Sequence, residues 1–202
     1  MTAGRLALRR WLLLAAAVAV LTAGCRRGEP AFHSIDVTGA QYARGFDAID
    51  AAGRRRSVAD WRGKAVLVFF GYTQCPDVCP TALARAAEAM RRLGALGDRV
   101  QAVFVTVDPE RDTDAIVDAY AKGFDPRFVG LRFDAATTAA IAREFRVVYT
   151  KAPLPDSRLG YAIDHTALSY VFDPQGRIRL VVRHEQTAEQ IAADLGKLLR
   201  AG

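Results

Sequence analysis

The chain has 202 residues, 51% of them hydrophobic and 25% charged, with a formal net charge of +6. That length can bury a core without disulfide staples, and no internal repeat or low-complexity tract interrupts it. The arginines are scattered, with one cluster at Arg54–Arg56 and no aromatic residues interleaved. The positive charge therefore reads as a solvated basic face, and nucleic-acid binding has little support.

At the start, Arg5, Arg9 and Arg10 precede an uninterrupted run of apolar and small residues from Trp11 to Ala23, closed by Gly24-Cys25 and Arg26-Arg27. Residues 1–25 read as an export segment, to be set aside from the fold. As a helix, Trp11 to Cys25 would reach only about 22 Å at ~1.5 Å per residue, short of a bilayer core of ~30 Å. The string "LTAGC" resembles a bacterial lipoprotein signal, which makes Cys25 a candidate for lipidation as the first residue of a mature chain. Thr22 stands where such signals prefer Leu or Val, and nearby cleavage or an uncleaved anchor are the alternatives. Every version puts the globular part outside the cytoplasm. Residues 26–31 read as a linker and 32–202 as one domain.

Within that domain, "AVLVFF" at Ala65–Phe70 is apolar on both faces, as suits a strand in the middle of a sheet. The loop "GYTQCPDVCPT" follows at once. Leu83, Ala86, Ala87, Met90 and Leu93 then recur at helical spacing, opposite Arg85, Glu88, Arg91 and Arg92. Ala102–Val107 predicts a second buried strand. Asp112 is the expected N-cap of a helix carrying Ile116, Val117, Tyr120 and Phe124. A short strand is expected over Phe128–Phe133 and a helix over Thr137–Phe145. Ala167–Phe172 and Ile178–Val182 flank "DPQG", whose Pro174 and Gly176 suit a tight turn, so this pair is an antiparallel hairpin. Thr187–Leu199 closes the chain as an amphipathic helix. That order predicts a thioredoxin-like α/β fold: a central mixed sheet flanked by helices, ending in a β-hairpin and a helix.

Pro80 suits the first turn of a helix, which makes Cys79 the expected N-cap. The free N–H groups and helix dipole there lower a thiol pKa. Cys75 lies one loop turn earlier, at the end of a buried strand, where open α/β sheets bind ligands. Three readings of the pair stand. A structural disulfide closing so short a loop would stabilise little. A dithiol redox centre fits the position, although three residues separate these cysteines where the usual motif has two. A metal site needs a further ligand. His33 and His184 read as solvated surface residues. His165, in "YAIDHTALSY", enters a strand of the expected hairpin, which on a thioredoxin-like topology lies against the cysteine loop. Cys75, Cys79 and His165 would then offer two soft thiolates and one imidazole, a set suited to copper or zinc.

The stretches "GKAVLVFFGYTQCPDVCPT", "VFVTVDPERDT", "YAKGFDPRFVGL" and "DHTALSYVFDPQG" together resemble the Sco/SenC copper proteins of respiratory-oxidase assembly. The resemblance implies copper(I) or copper(II) bound by Cys75, Cys79 and His165, with Asp108 a candidate to support the ligands from behind or else a plain Asp-Pro turn. It also implies a copper chaperone for the binuclear copper A centre of cytochrome c oxidase subunit II, rather than an enzyme. The alternative is a thiol–disulfide oxidoreductase or redox sensor that keeps that subunit's cysteines reduced through a Cys75–Cys79 disulfide. Expected partners are the oxidase subunit, a periplasmic copper donor, a thiol reductant and the membrane. The expected location is the exported, periplasmic face. Many relatives keep a transmembrane helix where this chain carries a lipoprotein-like segment.

Overall fold

The computed structural model describes residues 31–50 and 53–201; residues 1–25, expected from the sequence to act in export, lie outside the described residues together with the lipidation candidate Cys25. In chain order the elements are β1 (Ile35–Asp36), β2 (Asp47–Ile49), β3 (Arg55–Ser57), β4 (Ala65–Gly71), α1 (Val78–Arg92), β5 (Val100–Thr106), α2 (Asp114–Lys122), β6 (Val129–Leu131), α3 (Ala135–Glu144), β7 (Tyr149–Leu154), β8 (Gly160–His165), β9 (Ser169–Phe172), β10 (Ile178–Val182) and α4 (Ala188–Ala201). Among the described residues no helix is long and apolar enough to cross a membrane.

The main sheet runs β1-β10-β9-β4-β5-β6. β4 and β5 are buried at every position, as their continuous apolar runs require. They pair in parallel, with Phe69 opposite Phe104, and β6 extends β5 in the same sense. On its other side β4 pairs antiparallel with β9, whose hairpin partner is β10. This is the mixed, thioredoxin-like sheet that the sequence predicts.

The alternation of side chains along β4 divides the core. Phe70 meets Phe145, just past α3, at 4.9 Å between ring centroids, and Phe145 also packs on Tyr170 at 5.1 Å and Phe172 at 6.1 Å. On the opposite face, Leu67 and Phe69 share a small void with Ala82 and Ala86 of α1 and Ile191 of α4. Helices therefore cover both faces.

The caps refine the predicted boundaries. α4 opens on a capping box: the Thr187 N–H donates to Gln190 Oε1 (3.0 Å) and the Gln190 N–H to Thr187 Oγ1 (3.2 Å). α2 is capped by Thr113, which accepts from the Ile116 N–H at 3.3 Å, and not by Asp112 as the sequence suggests. Asp112 is instead buried against other parts of the chain. α1 starts at Val78 with Asp77 as its N-cap, so Cys79 is the second helical residue and not the cap. Pro80 remains in the first turn, where no intrahelical donor is needed.

Two hairpins were not legible in the sequence: β2–β3, and the longer β7–β8, which pairs Tyr149 with His165 and Leu154 with Gly160. His165 therefore ends β8 and does not enter β9. The N-terminal strand is fastened by Asp194 of α4, whose carboxylate accepts the N–H groups of His33 (3.0 Å) and Ser34 (2.8 Å).

Candidate metal centre

The strand end at Gly71 delivers the cysteine loop, and the loop turns back through a Cys75 N–H to Tyr72 carbonyl bond of 3.3 Å. Cys79 follows in the first turn of α1, fully buried, while Cys75 is 9% exposed. Both thiols are unpaired. Gly71 leaves room for Cys79: a Cβ there would lie 2.5 Å from Cys79 Sγ.

His165 arrives from the other side on β8. Its ring stands edge-on to Phe69 (6.0 Å) and Tyr72 (5.9 Å). Nδ1 lies 3.2 Å from the Thr166 carbonyl and Nε2 lies 3.3 Å from Cys79 Sγ. A carbonyl only accepts, so in the neutral ring the proton sits on Nδ1 and the Nε2 lone pair faces the sulfur. The ligand atoms of Cys75, Cys79 and His165 all lie within 4.8 Å of one another. Two sulfurs sharing one ion at bonds of about 2.3 Å stand at most ~4.6 Å apart, so the set fits a single metal with slight closure. Cys75 and His165 line an open groove of about 370 Å³ together with Tyr72, Pro76 and Ile163, and Cys79 lies buried behind them.

The two thiols differ. Cys75 is lowered to about 4, chiefly by a hydrogen bond from Cys79, against the opposing effect of burial, with help from the backbone N–H groups of Asp77 and Cys79. Cys79 is raised, because it holds the shared proton and is deeply buried. Cys75, held by the Cys79 thiol and helped by the first N–H groups of α1, is therefore the ionised partner, the reverse of the assignment drawn from Pro80. In reduced, metal-free protein, iodoacetamide is expected to modify Cys75 first, at a rate nearly level between about pH 6 and 8, whereas an ordinary thiol of pKa ~8.5 would react faster with each unit. A peptide map with Cys79 labelled first, or a rate climbing steeply over that range, would contradict this order.

The other candidates fall elsewhere. Asp108 is 1% exposed and its carboxylate takes hydrogen bonds from Tyr161 Oη (2.8 Å) and Arg111 Nε (2.5 Å), not from the three ligands. His33 is exposed. His184, expected in solvent, is half-buried: its carbonyl accepts from Arg85 and its Nδ1 is enclosed without a partner. Sequence reading missed the role of Asp112. It is 1% exposed, and it accepts from the Thr73 N–H (3.1 Å), Thr73 Oγ1 (2.5 Å) and Thr106 Oγ1 (2.5 Å). These contacts join the start of the cysteine loop to the end of β5.

Fold and site together define a class: a thioredoxin-like domain whose dithiol converges with a distant imidazole at the wall of an open groove. More particularly, the chain belongs to the SCO1/SenC family, whose model matches residues 36–200. It is 38% identical over 158 residues to the Bos taurus "Protein SCO2 homolog, mitochondrial", a match that covers 77% of this chain and 59% of that protein's length. Among solved structures it is similar to Bradyrhizobium japonicum ScoI with copper bound, at 42% identity and a TM-score of 0.66 over 76% of this chain and 97% of that one. It is also similar to Arabidopsis thaliana ScoI with copper bound, at 31% identity and a TM-score of 0.71 over 78% and 98% of the two chains.

Proposed function

We propose that this protein is a copper carrier, not an enzyme, that delivers copper to the binuclear copper A site of cytochrome c oxidase subunit II during oxidase assembly. The observation that carries the reading is the convergence of Cys75, Cys79 and His165 within 4.8 Å. Two thiolates and one imidazole accommodate both copper(I) and copper(II). The open groove lets an incoming donor on the partner displace one ligand at a time. Copper bound by two B. japonicum and A. thaliana relatives supports the choice of metal.

Loading requires Cys79 to give up its proton. Oxidation to a Cys75–Cys79 disulfide would remove both thiolates, so a thiol reductant is needed in the oxidising exported compartment, beside a periplasmic copper donor. In this reading residues 32–202 form the copper-binding domain, held at the periplasmic membrane face through residues 1–25 and a lipid on Cys25.

The test is an anaerobic titration of reduced protein with copper(I) and copper(II). Wild type is expected to take up one copper(II) with an imidazole nitrogen in its electron paramagnetic resonance spectrum, and His165→Ala is expected to lose that nitrogen. Identical spectra for the two would remove His165 from the ligand set.

A second reading, a thiol–disulfide oxidoreductase acting on the oxidase subunit's cysteines, is favoured by the unlike thiols. Cys75 is the ionised, more accessible partner and Cys79 the protonated, enclosed one, the division expected of an attacking and a resolving cysteine. That reading predicts loss of disulfide exchange in Cys75→Ser and little change in His165→Ala.

A further inference from the structure

We propose that the turn Asp108–Asp112 is a bracket that holds the histidine strand over the cysteine loop, with Arg111 and Asp112 as positioning residues of the metal site. This rests on the reading that His165 shares one ion with the two cysteines.

Each of the five residues in "DPERD" makes a tertiary contact. The turn itself is closed by the N–H groups of Arg111 (3.3 Å) and Asp112 (3.0 Å) donating to the Asp108 carbonyl. The Pro109 carbonyl accepts from Arg132 at 2.9 Å, which ties the turn to the residue after β6. From this fixed point two arms extend.

One arm grips β8. Arg111 Nη1 donates to the carbonyls of Leu159 (2.9 Å) and Tyr161 (2.7 Å), and its guanidinium stacks 3.6 Å from the Tyr161 ring centroid. The Tyr161 hydroxyl returns to Asp108 at 2.8 Å, and Glu110 reaches Lys151 of β7 at 2.6 Å. The other arm is Asp112, which takes both the N–H and the hydroxyl of Thr73, two residues before Cys75. Adjacent residues thus bind the two halves of the site. The β7–β8 hairpin forms its own two-stranded sheet, outside the main sheet. No ladder of the main sheet therefore fixes where His165 stands, and that task falls to side chains. Arg111 is suited to it, because a planar fork can bond a carboxylate and two carbonyls while stacking on a ring, which lysine cannot.

The experiment uses Arg111→Lys, Asp112→Asn and Tyr161→Phe in the full domain, each compared with wild type in two measurements. In the reduced, metal-free protein, Arg111→Lys is expected to speed amide hydrogen exchange in Tyr161–His165 while β4 and β5 stay slow; Asp112→Asn is expected to do the same for Thr73–Cys75 and spare β8. With copper(II) added, Arg111→Lys is expected to weaken the imidazole-nitrogen signature and lower affinity on the order of tenfold, the usual effect of losing a group that orients a ligand. Combined with His165→Ala it is expected to add nothing further, since both changes act on one ligand.

If wild type itself lacks the nitrogen signature, the reading of the site fails. If wild type has it and Arg111→Lys matches wild type in exchange and spectrum, the bracket alone is overturned. If Arg111→Lys does not fold, Tyr161→Phe decides, because it keeps the ring under Arg111 and removes the hydroxyl that bonds Asp108 and Lys151: faster exchange confined to β8 supports the bracket, and no change overturns it.

Discussion

Gly71→Ala is expected to lower copper affinity on the order of tenfold: overpacking strain of about 1–3 kcal/mol would fall on a donor atom, and ~1.4 kcal/mol is a decade of affinity. The added Cβ would meet Cys79 Sγ at 2.5 Å, Phe104 at 3.0 Å and Phe69 at 3.1 Å. Real Cβ contacts do not tolerate the first, and the two rings are buried in the core and have little room to retreat. Cys79 Sγ is therefore the atom that moves, and with it the 3.3 Å approach to His165 Nε2 on which the shared site depends. Competition against a copper(I) chelator under anaerobic conditions, with urea denaturation in parallel, checks both quantities. Unchanged affinity in the folded variant would show that the sulfur has more freedom than its enclosure implies.

What the sequence reveals here follows physical range. β4, β5, α1 and α4 are legible because their apolar periodicity is local and strong, and the β9–β10 turn because "DPQG" sets its own dihedrals. Both cysteines and His165 stand out by residue type. The strand that carries His165 does not. β7 is half-exposed along its length and contains Pro153, so neither alternation nor propensity marks it. Asp112 looks like a cap in the sequence because Asp before a helical pattern commonly is one. Thr113 beside it fills that place, and the actual partner, Thr73, lies 39 residues away. Pro80 misled in a similar way: it is tolerated throughout the first turn, so it fixes that a helix begins there but not where. The ionised cysteine then follows from which sulfur keeps the proton they share and which is more deeply enclosed, a matter of loop geometry.

The opposite face of β4 is expected to behave differently. Phe145→Ala should destabilise the domain by about 3–5 kcal/mol, a large share of a typical ~5–15 kcal/mol. Phe145 is fully buried and packs against Phe70, Tyr170 and Phe172, so its removal leaves a void that three rings on two paired strands line. The fraction that stays folded should still bind copper nearly as wild type does. Changes at separated positions couple by less than ~0.5 kcal/mol, about twofold in affinity, and the sheet stands between Phe145 and the sulfurs. Phe70 and Gly71 are neighbours in sequence yet point to different faces, so one supports the fold and the other the site. Chemical denaturation and a copper titration at a temperature where the variant is folded would measure the two effects separately. If Phe145→Ala lost copper as readily as Gly71→Ala, the sheet would not insulate the site, and the strand end carrying the cysteine loop would have to be set by packing on both faces at once.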